Sequence, residues 1–316
     1  MSVQMICCSH SPLMLTGIEE SQGDSQAAFF GTMETISREL QAFAPDVVVM
    51  FAPDHFNGFF YEMMPPFCMG TAAEGSRDWG AEGGPLRVPR DLAMDCVRHL
   101  HGKDFDISIS HDMKVDHGLT IPLVQLTGAL ARYDVLPVFI NCAADPRPSM
   151  RRIRQLGAEI GRFLATQSLR VAVLGSGGLS HDPPTPRLAK TSYEVARRLI
   201  KRATPSVEEL QAREARVVKA ARDLVVGRGP CMPPDVAWDQ SFMRHMQKLD
   251  FDALDAIDDF EIDTRAGFGG HEVRCWVAAA AAAQEIAGGT PLTPKERYYD
   301  AIPEWLTGMG VMTAEA

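Results

Sequence analysis

Four short apolar runs, each stopped by Ser, Asp, Pro or Gly and each leading to a histidine, limit what this chain can fold into. Val3–Cys8 (VQMICC) leads to His10, Val47–Phe51 (VVVMF) to His55, and Arg170–Leu174 runs through GSGGLS to His181. His117 follows in VDHG, a few residues beyond Ile107–Ser110. An apolar run of this length, bounded by turn residues, predicts a strand buried on both faces, as in a parallel sheet. Open α/β sheets bind ligands outside the carboxyl ends of such strands. Histidines from four distant stretches are therefore expected to meet in one cleft. Imidazole there can ligate a metal or move protons near neutral pH.

Helical periodicity fills the gaps. Gln26–Phe43 places Phe30, Met33, Ile36, Leu40 and Phe43 at helical spacing, and Pro89–Leu100, Ile121–Leu130 and Met150–Thr166 follow, with a strand at Val135–Ile140. Repeated βα units predict an α/β fold with a mainly parallel sheet covered by helices on both faces. The second half is helical: Val207–Val226, Asp239–Leu249 and Phe251–Phe260, then an alanine-rich helix over His271–Ala287. Acidic Asp250–Asp263 carries Leu254, Ile257 and Phe260 at helix spacing, which predicts a solvated helix with one buried face. The tail with Trp305, Gly308 and Gly310 predicts a loop or an edge strand. One domain, 1–316, with a helical excursion at about 190–262, accounts for the pattern.

A formal net charge of -10 and a pI near 5.4 argue against nucleic acid as partner, which needs a basic face. Cys7, Cys8, Cys68, Cys96, Cys142, Cys231 and Cys275 are scattered without CxxC spacing, so they read as buried thiols in a reducing compartment. The N-terminus lacks a signal-type apolar core, and the longest apolar run, Trp276–Ala283, is too short to span a bilayer. A cytoplasmic protein with no membrane partner is expected.

For chemistry, His10 and His55 sit in tight loops, and Glu272 lies in the first turn of the helix after Gly269–Gly270, where the helix dipole favours an ionised carboxylate. Two imidazoles and one carboxylate form the facial set of non-haem Fe(II) oxygenases, and also suit catalytic Zn(II). His271 is a rival ligand, although HEVRC lacks the second histidine of HExxH. His117 and His181 are not needed for that set and are free to move protons. Asp116 either orients the loop or raises the pKa of the neighbouring His117 imidazole, or else is a surface or capping residue. Gly175-Ser176-Gly177-Gly178 matches no phosphate-binding pattern, and is expected to let the backbone pass close while delivering His181. His99, His101 and His245 read as structural; His111 is open.

Taken together, CSHSPL around His10, FAPDHFNGFFY around His55, VDHG at His117, LGSGGLSH ending at His181, and His271-Glu272 resemble the class III extradiol catechol dioxygenases. The likeness extends to Pro303-Glu-Trp305 and so covers nearly the whole chain. It implies a three-layer αβα domain around a mixed sheet, an Fe(II) cofactor and a homo-oligomer. By matching positions, His10, His55 and Glu272 would hold iron, and His117 and His181 would be the acid–base pair. The substrate would be a small-molecule catechol with a propionate-type side chain. Both atoms of O2 would enter it, giving a ring-opened semialdehyde-type dienoic acid. Asp116, Asn57, Phe59 and Tyr61 are candidates to touch substrate or ligands, with Phe56 and Phe60 beside them as an apolar wall. Lys114, Arg77 and Arg274 are candidates for the side-chain carboxylate. A Zn(II) hydrolase or amidase on the same ligands, and a non-catalytic binding module, are the rival readings.

Overall fold

The computed structural model describes residues 2–16, 23–202 and 205–316. In chain order its elements are β1 (Val3–Cys8), α1 (Asp24–Phe43), β2 (Val47–Ala52), β3 (Phe67–Gly70), β4 (Ala73–Gly75), β5 (Gly84–Pro85), α2 (Arg90–His101), β6 (Ser108–Ser110), β7 (Met113–Val115), α3 (His117–Thr127), β8 (Asp134–Ile140), α4 (Met150–Leu164) and β9 (Val171–Ser176). Then follow α5 (Tyr193–Ile200), α6 (Val207–Val225), α7 (Val236–Lys248), α8 (Phe251–Ala256), α9 (Asp259–Glu261), α10 (Val273–Ala287), β10 (Lys295–Ile302) and β11 (Thr307–Glu315).

Eight strands form one sheet in the order β10-β11-β1-β9-β2-β8-β3-β6. The centre, β1-β9-β2-β8, is parallel, while β10–β11, β11–β1 and β8–β3 are antiparallel. Side chains alternate across the strands and so build two cores. Val3, Met5, Cys7, Val47, Val49 and Phe51 meet α2, α4, α7 and α10 on one face. Ile6, Cys8, Val48, Met50 and Ala52 meet α1, α3 and α6 on the other. Burial on both faces explains the unbroken apolar runs and gives the three-layer αβα arrangement.

The closest helix packing is that of α4 on α10. A Cβ on Gly157 would lie 2.1 Å from the Ala278 carbonyl oxygen, and one on Gly161 2.4 Å from that of Ala282. Paired glycines and alanines bring the two backbones together, and Glu272 immediately precedes α10.

Several expectations need correction. The C-terminal tail is no loop or edge: β11 lies inside the sheet between β10 and β1. Its glycines are there for space, since a Cβ on Gly308 would sit 2.0 Å from Asp239 Oδ2. The short strand β3 and the small sheet β5-β4-β7 were not anticipated. The acidic stretch is not one helix: it breaks after Ala256 and restarts when Asp258 caps α9, leaving Phe260 77% exposed. Helix α3 begins at His117 rather than Ile121, because Asp116 caps it by accepting the Gly118 N–H.

Candidate functional site

His10, His55 and His181 each follow the carboxyl end of a central parallel strand, and His117 opens α3 beside them. Each loop is tied down by short-range polar contacts. Asp54 accepts the N–H groups of Gly58 (2.8 Å), Phe59 (3.0 Å) and Asn57 (3.1 Å), which closes the loop that presents His55. Burial pushes the Asp54 carboxyl up to about 7. The His10 loop is pinned by the far end of the chain: Ser9 Oγ accepts from Gly310 N–H (2.9 Å), and Ser11 Oγ donates to Trp305 O (2.9 Å).

The ring of His10 is set by a chain of partners. Pro122 lacks the N–H that would reach Gly118 O four residues back, so that carbonyl instead accepts the Ser176 hydroxyl. With its proton so used, Ser176 Oγ accepts from His10 Nδ1 at 3.0 Å. The His10 Nε2 lone pair is left facing Glu272 Oε2 at 3.9 Å. Burial draws the pKa of His10 down to about 3, so the ring is neutral.

Asp116 is wholly buried and serves His55 rather than its sequence neighbour. Its Oδ2 accepts from His55 N (2.8 Å), Asn57 Nδ2 (2.9 Å) and His55 Nδ1 (3.0 Å), while the nearest His117 ring nitrogen is 4.0 Å away. Capping and orienting are thus both roles of one carboxylate. His117 Nδ1 instead closely contacts Asp78, whose Oδ1 also accepts the His117 N–H at 3.2 Å. Trp79 stands edge-on to His117 at 6.4 Å. Asp78 and Trp79 were missed because nothing in SRDWG marks them as a site.

Glu272 ends a 3-10 turn, Phe268–Glu272, and stands one residue before α10 rather than inside its first turn. Its Oε2 accepts the Gly178 N–H at 2.8 Å, and its Oε1 lies 3.0 Å from His55 Nε2 and 3.5 Å from His181 Nε2. His181 Nδ1 donates to Leu179 O at 2.8 Å, so Nε2 is the atom turned to the centre. Glycines make this approach feasible. A Cβ on Gly177 would lie 2.6 Å from the Glu272 carbonyl oxygen, and one on Gly269 only 2.0 Å from His181 Nε2. Burial opposes charge on Glu272, but His181, with hydrogen bonding from His55, outweighs it and holds the carboxyl well below its usual range. Burial likewise opposes charge on His55, yet Asp116 and Glu272 raise it well above an ordinary imidazole. His181 is raised in the same sense, chiefly by Glu272 against its burial.

These donors can hold a divalent cation. Ring nitrogens of His10, His55 and His117 lie within 4.8 Å of one another, as do ligand atoms of Asp78, Asp116 and His117, two sets that share His117. Ring planes separate them. His55 and His117 are stacked, 4.3 Å between centroids and 21° between planes, whereas His10 and His55 cross at 78°. In-plane lone pairs of stacked rings do not meet at a point about 2 Å from both nitrogens, and those of crossed rings can. His10, His55 and Glu272 are the residues that could share one ion, with Nδ1 of each histidine already engaged and Nε2 turned towards the carboxylate. Loading would displace the proton that His55 shares with Glu272.

Asn57 belongs to the cluster through Asp116, while most other sequence candidates are engaged by different partners. His271 is buried against Arg274 (2.6 Å) and Asp263 (3.2 Å), turned from the cluster. Arg274 is consumed by His271, Asp259 and Pro148 O, and Lys114 by Glu74 and Asp112. Arg77 is exposed. Phe59 stacks on Phe139 at 3.8 Å, and Tyr61 stacks on Phe56 while its hydroxyl accepts from Asp145 N–H. His99, His101, His111 and His245 bind Glu159, Ile107 O, Thr71 and Asp250 respectively. From the helical excursion, Arg213 donates to His55 O at 2.9 Å, a contact that spacing could not reveal.

Three full-length relatives carry the name 2,3-dihydroxyphenylpropionate/2,3-dihydroxicinnamic acid 1,2-dioxygenase. That of Azotobacter vinelandii is 43% identical, with 100% of this chain and 99% of the relative covered. Those of Cupriavidus pinatubonensis and Mycolicibacterium vanbaalenii are 43% and 44% identical; the alignments cover 100% and 99% of this chain, and 99% and 98% of the respective relatives. The family described as the catalytic LigB subunit of aromatic ring-opening dioxygenase matches residues 4–310. With that match over nearly its whole length, the chain belongs to the LigB family of aromatic ring-opening dioxygenases.

Proposed function

We propose that this extradiol dioxygenase acts on 2,3-dihydroxyphenylpropionate and its cinnamate counterpart, using Fe(II) held by His10, His55 and Glu272. The observation that carries the reading is the crossing of the His10 and His55 rings over a buried carboxylate that both face. The substrate assignment leans on the names of the full-length relatives. Membership of a ring-opening family displaces the hydrolase and binding-module readings. Ferrous iron, when bound, supplies the redox path by which catechol electrons reach dioxygen.

The chain's own residues move the protons. With the Glu272 charge taken up by the ion, the group that favours a proton on His181 is neutralised, and Nε2 can take a phenolic proton as the catechol docks, its ring fixed by Leu179 O. Nε2 of His117 delivers a proton to the reacting oxygen, its ring fixed at Nδ1 on the opposite edge. Each positioned transfer contributes about 10²–10⁴-fold. Trp79 and the rings of His10 and His55 leave His117 little freedom to turn. We read the chain as one cytoplasmic domain that assembles as a homo-oligomer. Among the described residues all seven cysteines are free and buried, which suits a reducing compartment. No described helix is long and apolar enough to cross a membrane.

The test is oxygen uptake and a yellow ring-opened product from 2,3-dihydroxyphenylpropionate after anaerobic loading with ferrous iron. Stoichiometric zinc without oxygen uptake would sink the reading. Replacing His10, His55 or Glu272 should remove iron and activity together; replacing His117 or His181 should spare iron.

A further inference from the structure

We propose that Asp78 is the positioning residue that fixes the tautomer and orientation of His117, an inference that rests on the acid–base role assigned to His117 above. Asp78 grips this residue at two points. One carboxylate oxygen contacts the ring Nδ1, and the other accepts the backbone N–H at 3.2 Å. The grip is itself held, because Ser76 Oγ donates to Asp78 Oδ1 at 2.6 Å and Asn57 Nδ2 approaches Oδ2 at 3.4 Å. A carboxylate only accepts, so Nδ1 carries the proton and Nε2 is the nitrogen that exchanges with substrate.

The other groups facing His117 do not serve. Asp116 is 4.0 Å away, and its oxygens are taken by His55, Asn57 and Gly118. His55 stacks on the ring and His10 meets it edge-on, so they restrict its plane without choosing its tautomer. Asn57 joins the two carboxylates, donating to both Asp116 and Asp78. Each histidine of the stacked pair thus has its own carboxylate on Nδ1, with a shared amide between them.

Two measurements test the proposal. In metal-free protein labelled with ¹⁵N-histidine, two-bond ¹H–¹⁵N spectra should show His117 protonated on Nδ1, the signal being identified by its loss in His117→Ala. In Asp78→Asn that signal should move to the Nε2–H form or a mixture. With ferrous iron and catechol, Asp78→Asn should lower kcat by about 10²–10⁴-fold, leaving KM and iron content within about twofold. Added to His117→Ala, the same change should cost less than about twofold, since a residue acting through His117 has nothing left to position. A wild-type ring protonated on Nε2 overturns the proposal, as does an equal loss in both backgrounds or an unchanged kcat. If wild-type protein fails to cleave the catechol, the functional reading falls, and the tautomer spectra still decide the clamp.

Discussion

Gly269→Ala is the sharpest probe of how the site is packed. The new Cβ would lie 2.0 Å from His181 Nε2, 2.2 Å from Cδ2 and 2.4 Å from Cε1. To recover an ordinary contact of 3.4 Å from 2.0 Å, the imidazole must retreat by about 1.4 Å. His181 cannot simply swing aside, because Nδ1 is bonded to Leu179 O and its backbone to Ala266 and Gly269. Misplacing a catalytic group by about 1 Å can cost about 10² in rate, or roughly 2.7 kcal/mol of barrier. We therefore expect kcat to fall about a hundredfold in Gly269→Ala. In a His181→Ala background the same change should be close to neutral, because the truncated side chain leaves room for the methyl. Steady-state oxygen uptake on iron-loaded protein reads both variants, with iron content as the check on Glu272. Gly31→Ala is the control: that glycine lies exposed in α1 with nothing within 4 Å of a Cβ. It should stabilise the fold by about 0.5–1 kcal/mol and leave kcat alone. Turnover of Gly269→Ala within about threefold of wild type would refute the packing argument.

Other outcomes follow from buried groups. Burial raises the Asp239 carboxyl to about 6, although it accepts from Ser180 and Tyr299. A carboxyl raised in the folded state contributes stability below about pH 4 that is lost as pH rises through 6, here up to about 3 kcal/mol. Urea titrations from pH 4 to 7 should show that fall in wild type and lose it in Asp239→Asn. Ferrous or zinc ion at about a hundred times its Kd should raise stability by about 2.7 kcal/mol, and Glu272→Gln should abolish the shift in melting temperature. Burial pushes the Cys8 and Cys68 thiols up to about 12, so thiol reagents should react only as fast as the protein opens.

The central strands were legible, and with them the positions of His10, His55 and His181 behind their carboxyl ends, because each depends on its own local sequence. His117 departs from that expectation, since it follows β7 of the small sheet, and the run Ile107–Ser110 forms only the exposed edge strand β6. VQMICC or VVVMF can only be buried, and a histidine behind it stands at the mouth of the sheet. Glu272 was legible through the glycines before it. Asp78 was not, because its role exists only once β4 and β7 place SRDWG against VDHG, segments about forty residues apart. Asp116 was seen as a cap, but its bond to His55 crosses between loops and leaves no periodicity. The tail was misjudged for a related reason. Gly308 and Gly310 read as loop punctuation, when their bareness is what lets an inner strand lie against Asp239 and Leu179.

The place of β11 has a consequence for biosynthesis. Val3–Cys8 finds its two neighbours only at Val171–Ser176 and Thr307–Glu315. Pairings this distant are slow to form. One edge of this apolar strand can therefore pair only after Val171–Ser176 is made and the other only after Thr307–Glu315, an interval in which it is open to aggregation. His10 rides on that strand, and its flanking serines are anchored by Trp305 and Gly310. Shortening the chain by even its last ten residues should yield a polypeptide that neither closes its sheet nor retains an ion.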